Sequence, residues 1–282
     1  MSTLAVAKRD FLNVRRSKLV WAPVALYSLF MVLFFYGQSS STDPDFHMVL
    51  FSLLGIGSVL VIPLIALVAA YLSIAGERES GTIKFTLGAP VDRSSVVFGK
   101  LLARSVVVVA GLVISFVVGT VAAMVFVPDM SIAYGDYLRF IAITLLYAMG
   151  YVAIAVGISA ATSARSRAIA ASIAFFFVFN IGWFSLPISP TEVVKFLLEE
   201  LGRNPENYQN LTELVFSLSP TGAYLNTMDF YMPARIASEE APVSTPSDPF
   251  YTQPWFMLVI LAAWIVVPLA FGTWRFGKAQ LG

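Results

Sequence analysis

Residues 76–93 read Gly76-Glu77-Arg78-Glu79-Ser80-Gly81-Thr82-Ile83-Lys84-Phe85-Thr86-Leu87-Gly88-Ala89-Pro90-Val91-Asp92-Arg93. This charged stretch separates two long apolar runs, and its reading decides the fold. Thr82 can cap a helix of one to two turns that Gly88 ends, and Asp92 can cap the next helix, starting near Arg93. That next helix continues for about 35 residues to Val127, roughly 50 Å at 1.5 Å per residue. A bilayer core is only ~30 Å thick, so the first two to three turns should project from it. The sequence therefore predicts a short helix lying across a membrane face between two long helices. It sets Ile83, Phe85 and Leu87 beside charges, which a simple connector would not need.

The rest of the chain agrees with a membrane setting. Of 282 residues, 58% are hydrophobic, 14% aromatic and only 12% charged, with a mean hydropathy of +0.79. Soluble domains carry about 25% charged residues, so this composition cannot cover a water-facing surface. Spans of some 20 apolar residues are expected at Leu19–Tyr36, Met48–Ala75, Ser105–Val127, Tyr137–Ala161, Ala168–Leu186 and Trp255–Thr273. Gly55, Gly57 and Pro63 interrupt the second. Backbone groups in lipid must pair internally, and these runs lack the alternation of barrel strands. The fold class is therefore an all-α membrane protein with six transmembrane helices in one domain, 1–282. The first run has a long basic head and no clear cleavage site, as expected of an uncleaved anchor.

Charge sets the orientation. Lys and Arg accumulate in cytoplasmic loops, and 14 of the 18 basic residues fall on one side: the 1–18 head, 78–104, Arg165 with Arg167, and Arg275 with Lys278. Of the 17 acidic residues, 13 fall on the other. Both termini are then cytoplasmic, which only an even number of spans allows.

Flanking segments are also legible. Residues 2–16 place Leu4, Ala7, Phe11, Leu12 and Val14 against Lys8, Arg9, Arg15 and Arg16 at near-helical spacing, the pattern of an interfacial helix on the inner face. The external loop 187–254 should be helical at first. Ser189-Pro190-Thr191-Glu192 has the form of a capping box with Pro at the first helical position, and Gly202 stops that helix. Asn204-Pro205 starts a second, with Tyr208, Leu211, Leu214, Val215 and Leu218 on one side. Five prolines between 233 and 254 predict an extended stretch. Asn210-Leu211-Thr212 is a glycosylation-type sequon on the external side.

Several chemistries are absent. With no Cys, disulfides and thiolate sites are excluded. There is no GxxxxGK[ST], so the chain cannot cradle ATP itself, and there is no HExxH. The single His, His47, sits externally beside Asp43 and Asp45 and reads as an ordinary loop residue. The span centres carry almost no ionisable groups, which argues against an ion-coupled carrier or a voltage sensor. Ser52, Ser58 and Tyr71 on the second span and Asn180 and Trp183 on the fifth could line a substrate path; such residues also commonly hydrogen-bond between helices.

The motifs Gly76-Glu77-Arg78-Glu79-Ser80-Gly81-Thr82, Leu87-Gly88-Ala89-Pro90-Val91-Asp92-Arg93 and Gly99-Lys100-Leu101 resemble the first cytoplasmic loop of ABC-2 type transporter permeases. Thr162–Ala170 resembles that family's second cytoplasmic turn, and Ser219-Pro220 the Ser-Pro before its last span. In length and external-loop position the chain looks closest to permeases of the nitrous-oxide-reductase maturation transporters. The resemblance implies a permease subunit that is not itself an enzyme, with ATP and Mg bound by a separate ATPase subunit. It implies a coupling helix near Thr82–Leu87 seated in a groove of that ATPase, with Glu77 and Glu79 orienting the loop through ion pairs or helix-end contacts. Gly81, Thr82, Ile83, Phe85, Leu87, Pro90 and Arg93 complete the expected coupling set. A second, identical permease chain, membrane lipid and an external protein at 187–254 are the other expected partners, with no nucleic acid. The implied location is the plasma membrane. A reading from another class stays open, a membrane scaffold whose external loop binds a partner protein.

Overall fold

The computed structural model describes residues 3–15, 18–41, 44–84, 92–233 and 248–279, and every extended element among them is helical. We number the main helices α1 (Thr3–Arg15), α2 (Lys18–Gly37), α3 (Phe46–Glu79), α4 (Arg93–Phe126), α5 (Tyr134–Ala161), α6 (Arg165–Gly182), α7 (Pro190–Glu200), α8 (Gln209–Ser217), α9 (Pro220–Leu225) and α10 (Pro254–Gly277). Among the described residues five helices, α3, α4, α5, α6 and α10, are long and apolar enough to cross a membrane. The 20-residue α2 lies over the expected first span.

The helices bury small and aromatic side chains inward and leave aliphatic stripes outward. Along α4, Val113, Val117, Val121 and Val125 recur every fourth residue and are exposed, Val125 by 64%. A soluble monomer rarely shows a contiguous apolar stripe of that length, whereas lipid accommodates it. Inward, α4 turns Gly111 and Gly119 to α2, where an added Cβ would lie 2.4 Å from Val24 and 2.2 Å from Met31. At the centre, α5 and α10 meet backbone to backbone. A Cβ on Gly157 would sit 2.4 Å from the Pro268 oxygen, and one on Gly272 would sit 2.5 Å from the Gly157 oxygen.

The interruption expected in the second span is a π-helical segment, Leu53–Val61. Pro63 lacks an N–H, and its ring crowds the carbonyl four residues earlier. The wider π turn just before it absorbs that mismatch without ending the helix. Helix α1 matches the expected amino-terminal helix. Its Val6, Ala7 and Asp10 are buried on α4, while Leu4 and Leu12 remain exposed.

The segment that follows α6 begins as its caps predict. Ser189 Oγ accepts from the Glu192 N–H at the start of α7, and Gly202 follows with a φ of +66°. Asn204 caps a single 3-10 turn, Pro205–Tyr208, that leads into α8. Helix α9, opened by Ser219 and Pro220, is fully inserted: Pro220, Thr221, Gly222, Ala223 and Tyr224 are all buried. Of the stretch expected to be extended, residues 234–247 lie outside the described residues.

Candidate functional site

The helix ends that carry most of the basic residues converge at one end of the bundle, and the first loop is tied into all of them. Where α3 finishes, the Ile74 and Ala75 N–H groups both donate to Ser159 Oγ on α5 at 3.0 Å. Arg78 Nη1 donates to the Thr162 carbonyl at 2.6 Å and to Ala160 at 3.4 Å, satisfying acceptors that the end of α5 leaves open. Glu79 Oε2 accepts from the Arg165 N–H at 2.6 Å. A carboxylate at the first turn of α6 is favoured by both the free N–H and the helix dipole.

Beside these contacts lies a four-residue charge cluster. Lys100, 1% exposed, donates to Asp10 Oδ1 at 2.5 Å and also to Glu77 Oε1. Arg104 Nε donates to Asp10 Oδ2 at 3.2 Å, and its Nη1 to the Ala69 carbonyl at 2.8 Å. Two cations and two carboxylates from α1, α3 and α4 thus balance. Buried charges persist only when each has such a partner. Glu77 thus makes an ion pair and Glu79 a helix-end contact.

The turn after α3 uses Gly81, whose φ of +74° suits a residue without a Cβ. Thr82 Oγ1 pairs with Ser80 Oγ at 2.8 Å, and helix resumes at residue 83. Ile83 departs from the expectation of an outward apolar face. It is 1% exposed and belongs to the chain's own core, because burying it there removes its surface from water. Lys84 is exposed. Phe85, Leu87 and Pro90, and the end of the expected short helix, lie outside the described residues. Asp92 occupies the cap position of α4 with extended backbone, but its side chain makes no capping bond. Arg93 instead reaches α10: its Nη1 donates to the carbonyls of Phe276, Gly277 and Ala279 at 2.8, 2.9 and 2.8 Å.

The residues expected along a substrate path separate into different settings. Asn180 is 4% exposed, and its carbonyl accepts from Thr221 Oγ1 at 2.7 Å while its amide donates to Tyr151 at 2.9 Å. Trp183 Nε1 donates to the Val215 and Phe216 carbonyls at 3.2 Å, fixing α8. Ser52 returns its hydroxyl to Met48 of its own helix, and Ser58 is buried in the π segment. Tyr71 is half-buried. It lines a cleft of about 310 Å³ between α3 and α6, walled by Leu64, Val68, Ile173 and Phe176, with Ser172 as the other polar residue. The Ser172 hydroxyl is buried without a partner.

Two features were not anticipated. Lys100 and Arg104 count as ordinary basic flank in a charge tally, yet both are engaged inside the protein. The available signal was Asp10, an acidic residue between Ala7 and Phe11, both expected on the apolar face of the amino-terminal helix. His47, expected in a loop, lies in the first turn of α3, where its N–H donates to Asp45 Oδ1 at 2.8 Å and its Nε2 pairs with Asp136 Oδ2 on α5 at 3.1 Å.

A protein-family model described as ABC-2 family transporter protein matches residues 4–281. A Pseudomonas aeruginosa protein named probable ABC transporter permease protein NosY is 27% identical over 179 residues, or 62% of this chain and 65% of that protein's length. A protein of the same name from Stutzerimonas stutzeri is 24% identical over 224 residues, 78% of each chain.

Proposed function

This chain belongs to the ABC-2 transporter family, and on that premise we propose that it is the transmembrane permease subunit of an ATP-driven ABC transporter, working with a separate ATPase subunit that holds ATP and Mg. The observation that carries the reading is the anchoring of the 76–93 loop. Glu77, Arg78 and Glu79 engage three different helices, α4, α5 and the start of α6, within three consecutive residues. A loop so held can deliver a displacement to the whole bundle, whereas a passive connector needs no such ties. The basic end then faces the cytoplasm, where an ATPase is available, and α2 serves as the first of six spans. Both termini are cytoplasmic in the plasma membrane. Two identical permease chains form the pathway. Of the polar residues considered along it, Tyr71 faces the cleft between α3 and α6, and the reading assigns the path to that cleft.

One further observation favours an additional role for the segment 187–254. Helix α7 buries none of its residues, and Phe196 and Leu197 are 59% and 52% exposed. An external protein is the proposed partner for that face; replacing both residues by Ser in the full chain should abolish its capture from periplasm-side extracts.

The decisive experiment is extraction of the full chain in detergent and mass spectrometry of what accompanies it. A P-loop ATPase should co-purify, and Glu77→Ala or Phe85→Asp should uncouple ATP hydrolysis from transport while the chain stays folded. A cysteine introduced at exposed Lys84 should be labelled from the cytoplasmic side only. Labelling from outside, or purification with no ATPase, would overturn the reading.

A further inference from the structure

The loop's two ends grip the same side chain on the last helix. Arg78, at the end of α3, and Arg93, at the start of α4, each place the guanidinium carbon 5.8 Å from the centre of the Phe276 ring. That is within reach of a cation–π contact, strongest when the ring is shielded from water, and Phe276 is fully buried. Arg93 adds its three bonds to the carbonyls at the end of α10. Four residues inward of Phe276 along α10, Gly272 meets Gly157 of α5 with no room for a side chain on either. Two helices in backbone contact lack the compliant side-chain layer that would let one slide over the other. Further along α5, Tyr147 and Tyr151 both bond Thr221 of α9, each at 2.9 Å, and Tyr147 stacks on Tyr224 at 4.2 Å.

We propose that Phe276 is a positioning residue through which displacement of the 76–93 loop is passed to α10 and α5 as one rigid pair, and so to the opposite end of the bundle. This inference rests on the permease reading. It adds that the last span, which is remote from the loop in sequence, is the loop's mechanical output. The continuous contacts supply a physical route, and the test is whether they carry coupling.

The chain contains no Cys, so labels can be placed without background. Val125→Cys and Trp255→Cys put spin labels at exposed positions near the far ends of α4 and α10. The full chain, co-purified with its ATPase in lipid nanodiscs, is measured by pulsed electron resonance with and without a non-hydrolysable ATP analogue. The analogue should shift the label distance. Phe276→Leu keeps apolar volume but removes the ring face; it should lose at least half of that shift while ATPase content and basal ATP turnover stay within twofold. Phe276→Tyr keeps the ring and should retain the shift. Arg93→Met, which removes both the cation over the ring and the donors to the three carbonyls, should lose it as well, and decides the matter should the Leu variant not fold. A full shift in both Phe276→Leu and Arg93→Met overturns the inference and leaves the permease reading standing. No shift in the unmodified complex, or no co-purifying ATPase, overturns that reading, and the inference with it.

Discussion

The carboxylate of Glu79 accepts the backbone N–H of Arg165 at 2.6 Å, across 86 residues of sequence. One side chain of the first loop thus closes the free end of α6, and the two loops at the basic end of the bundle are locked together.

Glu79→Ala should fray the first turn of α6. Charge-assisted capping at a helix start is worth about 1 kcal/mol, and the exposure of this pair, 47% for Glu79, places the loss at or below that. Amide hydrogen exchange at residues 165–168 should quicken, and Glu79→Gln, which keeps an acceptor, should quicken it less. Unchanged exchange in the Ala variant would show that the contact contributes nothing.

Lys100→Met should be among the most damaging single changes in the chain. It strips Glu77 of its hydrogen-bond donor and leaves Asp10 with Arg104 alone. Removing one partner of a buried ion pair costs about 3–5 kcal/mol. The melting temperature in detergent should drop sharply, and the double change Lys100→Met with Glu77→Gln should recover much of the loss, since the stranded carboxylate is then neutral while Asp10 keeps Arg104.

Gly157→Ala and Gly150→Ala lie two turns apart on α5 and should behave oppositely. The first drives a Cβ to 2.4 Å from the Pro268 oxygen, whereas the second meets nothing within 4 Å. Overpacking costs about 1–3 kcal/mol; an unobstructed Gly→Ala in a helix gains roughly 0.5–1 kcal/mol. Equal melting temperatures for the two variants would contradict the close approach of α5 and α10.

The surroundings of α8 should be more stable in mild acid than in base. Burial, with Asp248 and Asp229 nearby, pushes the Glu213 carboxyl up from 4.5 to about 7. The folded form therefore holds a proton that the unfolded form releases between these two values. The stabilisation is complete below pH 4.5 and is lost as pH rises through about 7. Hydrogen exchange across residues 209–217 should slow when pH-corrected rates at pH 6 are compared with pH 8, and Glu213→Gln should flatten that difference.

The amino-acid sequence by itself determined the membrane setting, the helical class, the helix ends and the family resemblance. These are local quantities: an apolar run of bilayer length, a Ser189 or Asn204 before a Pro, a Gly202 that stops a helix, a contiguous motif from Gly76 to Arg93. Position along the chain was enough to find them. Only the tertiary structure decided what the charges and polar groups do. Lys100, Arg104 and Asp10 read as a solvated basic head and flank until α1 lies on α4. Asn180 reads either as a path residue or as an interhelical hydrogen-bond partner until Thr221 and Tyr151 are seen to satisfy it, and Ile83 reads as an apolar residue set beside charges until the core receives it. The grip of Arg78 and Arg93 on Phe276 joins residues almost 200 positions apart. The physical reason is the same in each case: a polar group's role is set by its partner, and in a helical bundle that partner comes from another helix, at a separation no local pattern records.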